Sequence, residues 1–387
     1  MRLSVTRFRR LFLLRPDVVF LNHGSFGATP RPVFAVYQRW QRELERQPVE
    51  FLARRFPALM LAAREALAAY VGTRADHLVY VPNATTALNI VARSLRLRPG
   101  DEVVGTDHEY GALDRTWTYI CEQTGARYVR AAVSVPVRSA ASVADAIWSR
   151  VGPRTRVLFC SHITAVTSLI FPVRELVRRA RAQGILTVID GAHAPGQVPL
   201  RLDRLGADFY AGNCHKWMCA PKGAGFLYAR PAVQALLQPL VVSWGWRSDR
   251  PSRSRFIDEH EWQGTKDIAA YLAVPAAIAF LRRHRWDAVR RRCHALARSL
   301  RAGLLRAGGG PALSPDAARW YAQMVSVPVP VPDAPAFQRA LYEHFRIEVP
   351  VVPWNGRTLL RACVQGYNTP ADTAALVAAV GTLLTLP

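Results

Sequence analysis

The chain has 387 residues, half of them apolar, and a formal charge of +23 from 51 Lys and Arg against 28 Asp and Glu. That length supports two domains and a large buried core, and the composition excludes a disordered chain. No apolar run approaches the roughly 18 residues of a membrane span, and six scattered cysteines without a CxxC pair indicate neither a zinc site nor a disulfide framework.

The start, Met1 to Leu14, is basic and then briefly apolar. It is too short and lacks the small-residue cleavage site of a signal peptide, so a cytoplasmic protein is expected. Residues 18–30 read as an apolar strand entering a Gly-rich polar turn that ends in Pro-Arg-Pro. Residues 33–46 and 57–70 have helical apolar spacing. From about 77 to 230 short β-rich runs (77–81, 102–105, 128–133, 157–161, 185–189, 209–210 and 225–228) alternate with helical stretches. That alternation predicts a mostly parallel sheet of seven strands with helices on both faces. A Trp/Arg/Ser/Pro-rich stretch, 244–256, breaks the rhythm, and one long helix is expected over 267–285. The remainder reads as a smaller α+β unit: a helix at 286–305, a strand at 323–329, a helix at 335–345, strands within 347–363 and a last helix at 371–384. The expected division is an N-terminal segment 1–30 near the active site, a large α/β domain 31–265, and a linking helix plus small domain 266–387.

In such sheets ligands lie beyond the carboxyl ends of the strands. The polar residues there are Asn83–Thr86, His108–Tyr110, His162, Asp190–His193 and Asn213–Lys216. Of the 51 basic residues only Lys216, Lys222 and Lys266 are lysine. A guanidinium stays protonated and cannot form an imine, whereas a lysine amine can. Lys216 follows an apolar strand directly after a histidine, which makes it the candidate for covalent chemistry. Asp190 ends the strand Ile-Leu-Thr-Val-Ile-Asp; a carboxylate there needs a positive partner, and a protonated pyridine nitrogen is one. The same residue would serve equally as a helix or turn cap. Asn83-Ala-Thr-Thr-Ala-Leu-Asn opens a helix, which suits a phosphate as well as it suits an ordinary cap. An imine, a ring nitrogen and a phosphate in one cleft point to pyridoxal 5'-phosphate (PLP).

With these stretches in view the chain resembles the fold-type I PLP enzymes of the class V aminotransferase family, most closely the isopenicillin N epimerase-like branch. The matching stretches are 21–27 (LNHGSFG), 83–89 (NATTALN), 107–112 (DHEYGA), 190–196 (DGAHAPG), 212–217 (GNCHKW), 264–267 (GTKD) and 367–369 (YNT). The resemblance implies that Lys216 is the Schiff-base lysine and the acid/base at the substrate carbon. It implies Asp190 at the ring nitrogen, His193 at the ring hydroxyl, and Tyr110 stacked on the ring, with His108 as the rival for that place. It gives the phosphate to Ala84 and Thr85, with Asn213 and His215, and adds His162 to the cofactor site. Gly264 and Thr265 would reach the phosphate from a partner subunit, implying a homodimer. Arg361 would take the carboxylate of a small amino-acid substrate, and Asn22 and Ser25 would line the substrate side.

The implied chemistry removes the Cα proton from an amino acid bound as an imine. Epimerisation, transamination, or loss of a group from Cβ would follow. A C–S lyase of the hercynylcysteine sulfoxide type is the competing enzymatic reading. A desulfurase working through a persulfide is disfavoured because residues 307–360 contain no cysteine. The positive charge raises a third reading, a PLP-binding or nucleic-acid-binding regulator. No DNA-reading motif and no block of five like charges appears, so no specific nucleic-acid partner and no membrane partner are expected, only adhesion to polyanions at low salt.

Overall fold

The computed structural model describes residues 5–385; Met1–Ser4 of the basic start and the last two residues lie outside it. A short β1 (Val19–Phe20) opens the chain, and the principal sheet follows. Its strands are β2 (Leu78–Val81), β3 (Glu102–Thr106), β4 (Arg127–Ala131), β5 (Thr155–Ser161), β6 (Leu186–Asp190), β7 (Phe209–Asn213) and β8 (Gly225–Ala229). They lie in the order β2-β8-β7-β6-β5-β3-β4. β3 to β7 run parallel, and β8 is antiparallel to both its neighbours. The fold is thus α/β, with the expected seven strands.

These strands are apolar on both faces: every residue of β2, β3, β7 and β8 is buried. Continuous burial is the signature of a sheet covered by helices on both sides. One layer includes Ala84–Ser94 and Gly111–Thr124, whose Leu88, Leu113 and Trp117 join Val103, Phe159 and Phe209 in one core. The other includes Val173–Ala182, whose Leu176 and Val177 pack with Leu158 and Ile189.

A second sheet takes β9 (Met324–Val329), β11 (Val351–Trp354) and β12 (Arg357–Cys363) in the antiparallel order β11-β12-β9, and β10 (Ile347–Glu348) pairs with β1 instead. The N-terminal segment is thereby stitched to the C-terminal part of the chain. Leu21 extends the pairing, and its carbonyl accepts from Cys363 N–H at 2.7 Å.

The single helix expected over 267–285 is instead two, Ala269–Leu272 and Val274–Arg283, with Pro275 in the first turn of the second. Proline lacks the N–H that would continue the first helix into the second. The stretch 244–256 is mostly turn and leads into a helix at Arg255–Glu261. Among the described residues no helix is long and apolar enough to cross a membrane.

Candidate active site

β5 and β6 end level, with Ser161 opposite Asp190, and β7 continues past Ala211, which lies opposite Asp190, to Asn213. The chain leaving β6 returns through Asn213 at the end of β7 and turns immediately into Lys216. Two adjacent strand ends therefore bring Asp190 and Lys216 to one place, although 26 positions separate them in sequence. Asp190 is buried, and its Oδ1 accepts from Ala192 N–H at 2.8 Å. Burial pushes its carboxyl above the usual range, while the Ala192 N–H and Lys216 oppose the shift.

Lys216 Nζ stands 3.3 Å from His193 Nε2. The Trp217 indole N–H donates to His193 Nδ1, also at 3.3 Å. An indole nitrogen can only donate, so Nδ1 accepts and the hydrogen of a neutral ring sits on Nε2, facing the amine. Burial holds His193 well below the usual histidine value, with Lys216 adding to the effect. This tautomer suits an uncharged amine. Burial lowers the Lys216 pKa from 10.5 to about 8; Asp190 opposes the shift and Arg361 adds to it.

The folded protein resists protonating Lys216, so the unfolded chain binds more protons between pH 8 and 10.5. Stability is lowered in full below pH 8 and recovers as pH rises toward 10.5. In cofactor-free protein Lys216→Met is expected to remove a penalty of about 2–3 kcal/mol at pH 7 and almost none at pH 10.5. Denaturant melts of both proteins across this range measure the difference.

The Lys216 backbone is gripped by the N-terminal turn. His23 Nε2 lies 3.0 Å from the Lys216 carbonyl oxygen, and His23 Nδ1 lies 3.0 Å from the Tyr367 hydroxyl. Four residues on, Gly27 has φ 72°, and a side chain there would start 1.8 Å from the His215 carbonyl oxygen. Only glycine tolerates both the dihedral and the approach. Gly27→Ala is expected to cost on the order of 2–4 kcal/mol, seen as a lower melting temperature, and to shift the Lys216 loop.

The same turn braces Arg361 on β12. Arg361 Nη1 donates to the Ala165 carbonyl at 2.6 Å and Nη2 to Ser25 Oγ at 2.9 Å. Ser25 Oγ–H donates to Asn22 Oδ1 at 2.5 Å, and Asn22 Nδ2–H donates to Glu348 at 3.1 Å. Asn22, Ser25 and Arg361 are thus one chain of hydrogen bonds. Arg361 Nε is buried without a partner among the described residues, which leaves donor capacity for an anion.

Across the cleft, the helix Ala84–Ser94 has Asn83 as its cap, accepting from Thr86 N–H at 2.9 Å. Asn213 Oδ1 accepts from Ala84 N–H at 2.9 Å, so Asn213 ties that helix start to the end of β7. His215 Nδ1 contacts the Ala224 carbonyl oxygen at 3.0 Å, and burial lowers its pKa to about 4. His162, joined to the Asp190 carbonyl through its backbone N–H, places Nδ1 2.9 Å from Tyr210 Oη.

Tyr110 precedes the helix Gly111–Thr124 and keeps 47% exposure, while its rival His108 is sequestered. Both His108 ring nitrogens are engaged, with Thr167 Oγ1 at 2.7 Å and the Val133 carbonyl at 2.8 Å. Gly264, with φ 100° and open space around it, and the exposed Thr265 occupy a surface loop, with no hydrogen bond to these residues.

Sequence reasoning assigned no role to His23, Tyr367 or Trp217, although all three lie in quoted motifs. It also passed over Glu109, a buried carboxyl between the hydroxyls of Thr106 and Ser161, each at 2.6 Å. Burial raises its pKa to about 8.

The family model described as Aminotransferase class-V matches residues 28–370. The chain belongs to the class V aminotransferase family. It is a PLP-dependent enzyme of that family. Isopenicillin N epimerase of Streptomyces clavuligerus is 37% identical over 386 residues, 97% of each chain. The enzyme of that name from Amycolatopsis lactamdurans is 38% identical over 381 residues, 95% of each. A probable chloroplastic L-cysteine desulfhydrase of Arabidopsis thaliana is 30% identical, covering 92% of this chain and 81% of that protein. Among solved structures, the cysteine desulfurase CsdA of Escherichia coli shares the fold with a TM-score of 0.82 at 22% identity, over 99% of both chains. The cystine C-S lyase C-DES, in complex with its product cysteine persulfide, gives a TM-score of 0.81 at 25% identity, over 95% of this chain and 98% of that one.

Proposed function

We propose that this class V enzyme is an amino-acid epimerase of the isopenicillin N epimerase type, acting at Cα of a small amino-acid-like substrate. The observation that carries the proposal is 37–38% identity to two isopenicillin N epimerases over nearly the whole chain. The cleft fits PLP by its donor set: an amine, a buried carboxylate that still needs a cation, and a helix start beside Thr85. When bound, PLP supplies an electron sink that makes the Cα proton acidic.

The protein's own residues divide the remaining work. Asp190 would hold the ring nitrogen protonated, and His193, 3.3 Å from the Lys216 amine, would contact the ring hydroxyl. Ala84, Thr85, Asn213 and His215 would hold the phosphate end, Tyr110 would cover a ring face and His162 would flank it. Lys216 would be the residue that holds the cofactor, and its amine, once displaced by the substrate's amino group, would be free to take and return a proton at Cα, a task matched to a pKa near 8. Arg361, preset by Ser25 and Asn22, takes the substrate carboxylate. Arg361→Ala is expected to raise KM about 10- to 100-fold while leaving the cofactor absorption band in place, read by steady-state kinetics and the visible spectrum.

The C–S lyase reading rests on the desulfhydrase relative. Against a persulfide-carrying desulfurase stands the burial of all six cysteines. Cys363 is fixed in β12, and burial raises its thiol pKa. Incubating the holoenzyme with amino acids and cysteine conjugates in deuterated water separates the reactions. Deuterium at Cα with inverted configuration supports the epimerase; released pyruvate or a keto acid overturns it.

A homodimer sharing its sites through Gly264 and Thr265 belongs to the same proposal. It is supported by exposed large apolar side chains, Val242 at 66%, Trp244 at 82% and Phe26 at 74%. Six free thiols without a disulfide fit a cytoplasmic location.

A further inference from the structure

A cleft of 1960 Å³ lies where the end of the helix Phe56–Val71 meets the helix Val274–Arg283 and the start of the helix Trp286–Arg306. Neither Lys216, Asp190, His193 nor Arg361 lines it. The volume exceeds the roughly 300–1,000 Å³ of an ordinary small-molecule pocket, and an amino acid would leave most of it empty.

Its walls have two characters. The floor is apolar, built from Leu11, Val36, Ala279 and Phe280. The rim is cationic: residues 282–292 contain six arginines and one acid. That acid, Asp287, is already paired with Arg290. Arg283, Arg285 and Arg291, together with Arg201 on the facing loop, line the cleft, are exposed, and form no ion pair among the described residues. Some arginines elsewhere are matched locally, as in Arg178 and Arg179 with Glu175. Here several guanidiniums surround apolar surface with no anion supplied by the protein.

The geometry points to a second binding site, for an amphiphilic anion: a compound with an extended apolar body and a carboxylate or phosphate head. The body would cover the floor and the head would take the bidentate hydrogen bonds that guanidinium offers. A nucleic acid fits less well: of the Phe, Trp and Tyr rings lining the cleft, those of Phe8, Phe280 and Trp286 are buried and Tyr70 alone is partly exposed, so the cleft offers no row of stacking faces. Trp286 also donates to the Gly196 carbonyl at 2.9 Å, so it is left in place in the variants below.

The test is calorimetric titration of the holoenzyme with dodecyl phosphate below its micelle concentration. One saturable site per chain is expected. Inorganic phosphate and dodecyl maltoside, the head and the body alone, should each bind at least about tenfold more weakly. Arg283→Glu with Arg291→Glu should weaken dodecyl phosphate about tenfold or more. Ala279→Trp should do the same while keeping every charge, since Ala279 is exposed and its enlargement fills the floor. Arg138→Glu, an exposed arginine outside the cleft, should leave binding unchanged. Wild-type affinity in the double variant, or phosphate binding as well as the amphiphile does, overturns the site. So does adhesion to phosphatidylglycerol vesicles that Ala279→Trp does not reduce, when monomeric dodecyl phosphate fails to bind. A single-stranded oligonucleotide that displaces the probe, with Ala279→Trp silent, would replace it with a polyanion surface.

Discussion

Lys216→Ala is expected to abolish the yellow imine band and to lower turnover roughly 100- to 10,000-fold, the range for a lost general acid/base, with loss of the covalent bond pushing toward the upper end. The fold should survive. What anchors this loop is the Lys216 carbonyl held by His23, together with the Gly27 contact at His215, and neither uses the side chain. Circular dichroism should therefore stay near wild type, and the melting temperature of the cofactor-free protein at neutral pH should not fall, since the buried charge is removed, while activity is lost. Lys222 cannot substitute. It sits beyond the turn at Cys219, whose φ is 60°, and it is Cys219, not Asp190, whose charge acts on its amine. Residual activity within tenfold of wild type would show that the amine at 216 is not the acid/base.

Asp190→Asn separates the electrostatic role from the structural one. The amide oxygen can still accept from Ala192 N–H, so the end of β6 keeps its shape. The negative charge is what disappears. Activity is expected to fall roughly 100- to 1,000-fold, comparable with removing one preorganised electrostatic partner. Stability of the cofactor-free protein should move the other way. Burial raises the Asp190 pKa in the folded state, so its ionised form opposes folding above that value. The substitution is therefore expected to stabilise cofactor-free protein at neutral pH, with the gain fading as pH falls toward 4. A merely structural aspartate would give the reverse: reduced stability and a proportionate loss of activity. Denaturant melts beside steady-state kinetics distinguish the two.

The parts of this site legible in the sequence are those carried by local rules. A strand ending in aspartate and a lysine at the next strand end suffice to predict one cleft, because parallel strands finish on the same edge. The sheet itself followed from alternation of β-rich and helical runs. Strand direction was less accessible: β8 has the same all-buried pattern as β7, to which it runs antiparallel, and only its short connection from β7 distinguishes it. The break at Ala273 was missed because apolar spacing continues through it, although Pro275 marks it. The grip on Lys216 was invisible for a different reason. His23 reaches across 193 positions to Lys216 and 344 to Tyr367, and no periodicity encodes such a contact. The Arg361–Ser25 bond spans 336 positions. Nothing in the sequence marks the arginines of 282–292 as a site; their meeting with Arg201 and an apolar floor depends on how the helices pack.

Three lysines make the decisive measurement simple. The purified protein is reduced with borohydride, digested, and mapped by mass spectrometry for the pyridoxyl adduct. The account predicts one modified residue, Lys216, and bleaching of the yellow band in step with its labelling. An adduct on Lys222 or Lys266, or a bleached protein whose Lys216 peptide remains unmodified, would contradict it.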